Sequence, residues 1–470
     1  MKPPVKAAPR SLQSWALKGG PQDIFYHYDE EWPFPIITSG HGLYLEDDQG
    51  RRYMDVSSGP VASNLGHAHP QIIAAIRQQL DKLTFAYARV ARTRENIELS
   101  DRLTGMAGVG FERCLLVSGG SEAMDMALKF LRLAALARGA MKRTRIISLL
   151  PSYHGGTLAT LAITGDLTQE EVFAPMAVFS EKIPAPLTYR PPENMTQGEN
   201  ESRILELLEA RIRALGEENV LALVLEPVGG LATGANVLSD AFLVGASKIC
   251  SHHGVFVIHD EVMSGAGRTG CFLTAHRLPE ARPDVVVLAK GISAGYTPLG
   301  VMLTSAELAD AVADDSGFNY AHTANANPIA CAVGIAVLQE IRDSNLATNV
   351  AARGHQLNDG LRNLAQGIPV IGDVRGRGLL MAVELVIKQS TQEMFPAEFP
   401  VSSLVRRIGL EHGLMIYARR MNRGRFGDWF MVSPPLNTTE VEAEEMLGRL
   451  DQTLAAFTET VTRRGLRVAA

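Results

Sequence analysis

The stretch Val255-Phe-Val-Ile-His-Asp-Glu-Val262, with Asp284-Val-Val-Val-Leu-Ala-Lys-Gly291 shortly after it, decides the fold. Each is a short apolar run that ends on charged side chains. Apolar strands without polar alternation have both faces covered, as in a parallel sheet sandwiched between helices. Runs of the same kind predict strands at 114–117, 145–149, 221–225 and 300–303. Between them lie helical patterns. Residues 122–138 place Met126, Phe130, Leu133 and Leu136 near helical spacing. Residues 202–215 carry Leu205, Leu208, Ile212 and Leu215 as a stripe, with Gly216 as the stop signal. This alternation predicts an α/β fold with a mostly parallel sheet covered by helices.

The chain ends read differently. Residues 1–70 contain short strand patterns at 42–46 and 52–56, then the turn-rich Asn64-Leu-Gly-His-Ala-His-Pro70. Beyond residue 340 come a helix at 351–364, a strand at 379–385 and a terminal helix from about Thr439. That mixture predicts a smaller α+β domain built from the two chain ends. The expected organisation is an N-terminal segment 1–70 shared between the small domain and the active site, a large domain 71–335, and a small domain 336–470. The Pro/Asn/Gly-rich stretch 184–201 reads as a surface loop.

Composition removes several function classes. The chain has 470 residues, 46% hydrophobic, so a real core is available and general disorder is excluded. Lys+Arg 45 against Asp+Glu 51 gives −6, the wrong sign for a nucleic-acid binder. Cys114, Cys250, Cys271 and Cys331 form no C-x-x-C pair, so neither a zinc cage nor a redox dithiol is signalled. Scattered cysteines fit reduced thiols in a cytoplasm. Met1 to Ser14 has no apolar run and no stretch reaches membrane-span length, so the expectation is a soluble, intracellular protein. The Asn194, Asn200 and Asn437 sequons therefore carry no weight.

Three segments carry chemistry. Ser118-Gly-Gly-Ser-Glu-Ala123 follows a strand and opens a helix, either as a plain turn or as a phosphate cradle of free N–H groups and dipole. Asp260 and Glu261 end a buried strand, where α/β sheets place ligands. A nucleotidase metal site would need a triphosphate loop, which is missing. Gly265-Ala-Gly-Arg-Thr-Gly270 matches a dinucleotide fingerprint in letters only, because it starts past the strand end and Pro279 and Pro283 leave no room for its helix. Lys290 closes an apolar run, either reaching a sheet rim or held as a nucleophilic amine able to form a Schiff base. A phosphate cradle, a carboxylate and an amine are together the three anchors of pyridoxal phosphate.

In order and spelling these segments resemble the class III aminotransferases, fold type I pyridoxal-phosphate enzymes that include ω-amino-acid and amine–pyruvate transaminases. The resemblance runs through Asn64–Pro70, Gly120-Ser-Glu-Ala123, Tyr153-His-Gly155, Glu226-Pro-Val228, Asp260-Glu-Val262, Gly267-Arg-Thr-Gly270, Lys290-Gly291, His322-Thr323, Asn327-Pro328 and Ser433-Pro-Pro-Leu436. It implies a large domain that binds pyridoxal 5'-phosphate. Lys290 would be the Schiff-base lysine and proton carrier, and Asp260 would pair with the pyridinium nitrogen. Val262 and Tyr153 would cover the ring faces, and Gly119, Gly120 and Ser121 would bind phosphate. Thr323 would reach the neighbouring subunit's cofactor, making a homodimer with shared sites, able to pair further into a tetramer. Glu226 would lie on the substrate side in a polar switch. The implied reaction moves an amino group from an amine or ω-amino acid to an oxo acid such as pyruvate or 2-oxoglutarate. A lyase, racemase or decarboxylase on the same fold, or a silent dimeric scaffold, are the alternatives.

Departures from the family pattern bear on the substrate. Met263 stands where ornithine- and GABA-type members commonly have Gln, and Ala266 replaces a usual Phe. Pro60-Val61 replaces a common Leu-Trp, which predicts a roomier pocket beside Val61. The segment from Tyr417 to Asp428 holds Arg419, Arg420, Arg423 and Arg425 where relatives often use one arginine to grip a substrate carboxylate. Arg419 is the expected residue, Arg420 the next choice, and Tyr417 a candidate for the same position.

Overall fold

The computed structural model describes residues 34–177, 180–192 and 195–469. Expectations about residues 1–33 and Asn194 lie outside the described residues. A seven-stranded sheet is ordered Arg113–Val117, Gly300–Thr304, Val285–Leu288, Phe256–Asp260, Val220–Leu225, Arg145–Leu150, Glu181–Pro184. From Val285–Leu288 through to Glu181–Pro184 all neighbours are parallel. Gly300–Thr304 runs antiparallel to both of its neighbours. Arg113–Val117 therefore points the same way as the parallel set.

Successive residues of these strands feed opposite cores, which is why they read as unbroken apolar runs. Ala222, Val224, Val285 and Val287 pack with Ala123, Met126, Ala127 and Phe130 of helix Gly120–Ala137. Leu223 and Leu225 face Ile204, Leu208 and Ile212 of helix Gln197–Leu215. Val286 and Leu288 face Leu99 and Leu103 of helix Arg94–Ala107.

Two further four-stranded sheets are found among the described residues. One joins Ile37–His41, Tyr44–Asp47 and Arg52–Asp55 to Leu414–Met415. The other holds Ile371–Arg377, Leu380–Leu385, Asp428–Val432 and Tyr417–Ala418. Leu43, Met54 and Val56 share one core with Leu357, Leu361, Val383, Phe430, Leu450 and Phe457, so both chain ends close a single apolar cluster. Among the described residues no helix is long and apolar enough to cross a membrane. All four cysteines are free.

Local details differ from the sequence reading. The 184–201 stretch ends in helix, because Thr196 and Glu199 form a capping box that starts Gln197–Leu215. Its buried stripe keeps Leu208 and Ile212 of the expected row and adds Ile204, while Leu205 and Leu215 are only half-buried. The helix expected at 351–364 runs Leu346–Gly367. No long helix follows Gly265–Gly270, which turns back on itself through Gly265 N to Glu261 O.

Those glycines instead surround Arg268, a fully buried arginine that bolts the parts together. Its guanidinium donates to Asn64 Oδ1 at 2.5 Å, to Leu379 O at 3.1 Å and to Pro434 O. Burial pushes its pKa down to about 9. Asn64 Nδ2 in turn donates to Ala266 O at 3.2 Å, and Leu436 N to Asn64 O at 2.7 Å. The Asn64, Gly267–Gly270 and Ser433–Leu436 blocks are thus one interlock.

Candidate active site

Parallel strands deliver their C-terminal ends to one edge, and the sequence places a functional group just beyond each. Val117 leads to Ser118–Ser121, Leu150 to Tyr153, Leu225 to Glu226, Phe256–Asp260 to Val262, and Leu288 to Lys290. The antiparallel strand starts at the same edge, so Thr297, Pro298 and Leu299 close the wall. The result is a cavity of about 340 Å³ lined by Gly119, Gly120, Ser121, Tyr153, Glu226, Asp260, Val262 and Lys290. His154, Met263, Ala62 and Ser293 also line it.

Lys290 sits at φ 48, the left-handed region that a side-chain-bearing residue enters at a cost. Neighbours over-determine that geometry. Gly291 has no Cβ because Asn64, clamped by Arg268, lies against it. Ser293 Oγ donates to Thr297 O at 2.6 Å, bracing the turn. Burial lowers the Lys290 pKa, while Asp260 and Glu226 pull in the opposite direction. The amine is thereby moved toward the neutral, nucleophilic form.

Asp260 is fixed by two donors. Oδ1 accepts from Val262 N at 3.1 Å, and His154 Nδ1 lies 2.9 Å from Oδ2. The His154 ring is fully buried, and its Nε2 has no hydrogen-bond partner among the described residues. Glu226 receives Tyr153 N at 3.1 Å and Gly230 N at 2.9 Å, and burial raises its pKa with Asp260 adding to the shift. Next to Asp260, Glu261 faces the protein instead, taking Thr274 N and Ala275 N, with burial pushing its pKa up to about 7.

The anion end is equally specific. Helix Gly120–Ala137 presents its N-terminus to the cavity, with Gly119 as the cap residue. Gly155, at φ 140, leaves no room for a Cβ, which would lie 2.6 Å from Ser121 Oγ and 2.5 Å from Thr160 Oγ1. Gly156 N donates to Ser121 Oγ at 3.1 Å. A phosphate fits this cradle, a protonated pyridine fits Asp260, and an aldehyde fits Lys290.

Other expected residues lie elsewhere. Thr323 is exposed and outside its own chain's cavity. Val61 is 1% exposed and packs with Leu231 and Trp429, so Ala62 and not Val61 meets the cavity. The reason is local: Ser58, Gly59 and Val61 all have positive φ, which turns Val61 inward. Tyr417 packs on the same cluster, its N donating to Ser57 Oγ at 2.9 Å. Burial raises the Tyr417 pKa, with the Arg419 charge opposing. Arg420 is caged by Pro396 O, Ala397 O, Phe399 O and Phe395 O and paired with Asp428 at 3.0 Å. Arg423 pairs with Glu171 at 2.9 Å, and Arg419 is exposed. His154, Ala62 and Ser293 were not singled out by sequence. His154 alone had a signal, standing inside the Tyr153-His-Gly155 block.

A lysine, a carboxylate and a helix N-terminus around one cavity in an α/β sheet define a pyridoxal-phosphate site. The aminotransferase class-III family model matches residues 26–454, and the chain belongs to that family. An uncharacterized aminotransferase, YodT, of Bacillus subtilis is 30% identical across 92% of this chain and 97% of its own length. The omega transaminase from Pseudomonas jessenii in complex with PMP superposes with TM-score 0.87 at 28% identity, covering 94% of this chain and 98% of that one. An amine transaminase of an uncultivated Pseudomonas species in the PLP-bound form gives TM-score 0.86 at 31% identity, covering 93% and 99%. The protein is a transaminase and its cofactor is pyridoxal 5'-phosphate; the comparisons favour transamination over lyase, racemase or decarboxylase chemistry.

Proposed function

We propose that this enzyme moves an amino group from an amine or ω-amino acid to an oxo acid such as pyruvate or 2-oxoglutarate, in ping-pong order, as a cytoplasmic homodimer with shared sites. The observation that carries this reading is the meeting of Lys290, Asp260 and the Gly120–Ala137 N-terminus around one cavity. When bound, the cofactor supplies an electron sink for charge developing at the substrate Cα.

Each residue then has a task. Gly119, Gly120 and Ser121 hold the phosphate through N–H groups, hydroxyl and helix dipole. Asp260, steadied by His154 and Val262 N, holds a proton on the pyridine nitrogen. Val262 and Tyr153 cover the ring. Lys290 would hold the cofactor through its amine, and once the donor amine has displaced it, its Nζ, moved toward neutrality by burial, would take the proton that leaves Cα. Glu226, Met263 and Ala62 bound the donor side, and Arg419 is the proposed grip on the oxo-acid carboxylate, with Tyr417 beneath it.

The test is spectral. An amine donor alone should convert the bound cofactor to its pyridoxamine form, and pyruvate or 2-oxoglutarate should reverse the change. Conversion without reversal by any oxo acid contradicts the transaminase reading.

Two observations support the dimer. Leu80, Leu83, Phe85 and Val90 are exposed by 51%, 42%, 48% and 81% along one segment. That segment is tied to the Thr323 stretch by Asn327 Nδ2 donating to Thr84 O at 3.1 Å. Thr323→Val should weaken cofactor retention about tenfold, the effect of one charge-assisted hydrogen bond. Retention equal to the parent enzyme would remove Thr323 from the partner's phosphate.

A further inference from the structure

The wall beside Glu226 and Met263 is held from a distance. After Glu226 the chain makes a closed loop, Gly229 N donating to Asn236 O at 2.8 Å and Ala235 N to Gly230 O at 3.1 Å. Its inner end is set by Gly230 N on Glu226 Oε1, and a Cβ at Gly230 would collide with Met263 Sδ. Both Glu226 and Met263 line the cavity. Behind the loop, Thr233, Gly229 and Glu226 border a void of about 10 Å³, room for about one water and no more.

The outer end is set by the small sheet. Trp429 Nε1 donates to Leu231 O at 2.5 Å, and Arg375 Nη2 donates to Thr233 O at 3.2 Å. Gly234, at φ 58, passes so close that a Cβ would lie 2.6 Å from both Arg375 Nη2 and Trp429 Cδ2. Arg375 is aimed by carboxylates, its Nη1 donating to Glu384 Oε2 at 2.6 Å and to Asp373 Oδ2 at 3.0 Å. Its guanidinium stacks 5.3 Å from the Trp429 ring, and Arg190 Nε donates to the other Glu384 oxygen at 2.9 Å. A largely buried array of this kind costs stability compared with apolar packing. Here it fixes a fork with one arm on Thr233 O, which an apolar residue could not supply.

We propose that Arg375 and Trp429 are positioning residues that set donor specificity, by pinning the 229–236 loop and with it the space beside Met263 and Glu226. Neither touches the cavity. The room available to the donor's substituent is therefore fixed by residues on the other sheet. This proposal rests on the transaminase reading for its substrate arm and on geometry alone for its structural arm.

The test uses the holoenzyme. Trp429→Phe keeps a ring and removes the N–H donor; Arg375→Lys keeps the charge and removes the fork. Each should raise amide exchange at Gly230, Thr233 and Gly234 about tenfold, the effect of one lost hydrogen bond. Each should also shift kcat/KM for a bulky aryl amine relative to a small alkylamine by about tenfold, in favour of the bulky donor. That shift should sit in KM, with the cofactor spectrum and kcat for the small donor retained. A structural defect alone would lower both donors together. Unchanged exchange in both variants, or faster exchange with an unchanged donor ratio, overturns the proposal. Absence of turnover by the parent enzyme with every amine sinks the reaction reading instead, and the exchange arm still decides the coupling.

Discussion

Lys290→Ala should lower kcat by about 10⁴-fold or more, because one substitution removes both the covalent anchor and the base at Cα. The fold should survive. The lysine is buried, and burial disfavours its charged form. Alanine at φ 48 meets the same backbone strain as lysine and leaves no ammonium behind. The cofactor-free variant should therefore be at least as stable as the parent in urea unfolding, while its visible absorbance no longer shows a covalently held cofactor. Lys290→Arg should be equally inactive, since a guanidinium stays protonated. A variant that unfolds with its activity would indicate a structural lysine; a folded variant with normal turnover would remove Lys290 from the chemistry.

Asp260→Asn is the second large effect, expected to lower kcat by about 10²- to 10³-fold, the scale of losing one preorganised charge at the reacting centre. The shape is retained, so His154 and Val262 N keep a neighbour and the fold should hold. The variant also has a signed pH consequence. Asp260 pulls the Lys290 pKa upward against burial. Its removal leaves burial less opposed, so Lys290 loses its proton at lower pH. Cofactor capture by the apoenzyme requires the neutral amine, and its acidic limb should move to lower pH in Asp260→Asn. A limb that stays put or moves upward would mean that the two groups do not interact.

Much of this site was legible because the chemistry stands at strand ends. An apolar run that stops on Asp260, and another that stops before Lys290, announce both the sheet and its functional edge. The strand–turn–helix at 118–123 announces the anion end in the same way. What escaped depends on contacts between distant segments. The Asp260–His154 pair spans two strands with Val220–Leu225 between them, a register that no local pattern records. The cage around Arg420 is made of carbonyls, which carry no side-chain signature. Val61 was misplaced because positive φ values at Ser58, Gly59 and Val61 are invisible in hydrophobic periodicity. The reversed direction of Gly300–Thr304 was equally unreadable, since an apolar run has no polarity.

Arg268 adds a different lesson. The blocks around Asn64, Gly267–Gly270 and Ser433–Leu436 look functional in sequence, yet here they serve one buried guanidinium that seats Asn64 against Gly291. They brace the backbone from which Lys290 projects.

The most direct measurement is borohydride reduction of the holoenzyme followed by peptide mapping. Reduction should bleach the yellow colour and leave a phosphopyridoxyl group on the peptide that carries Lys290. A label on any other lysine, or a colourless protein that never takes up pyridoxal phosphate, would contradict the account.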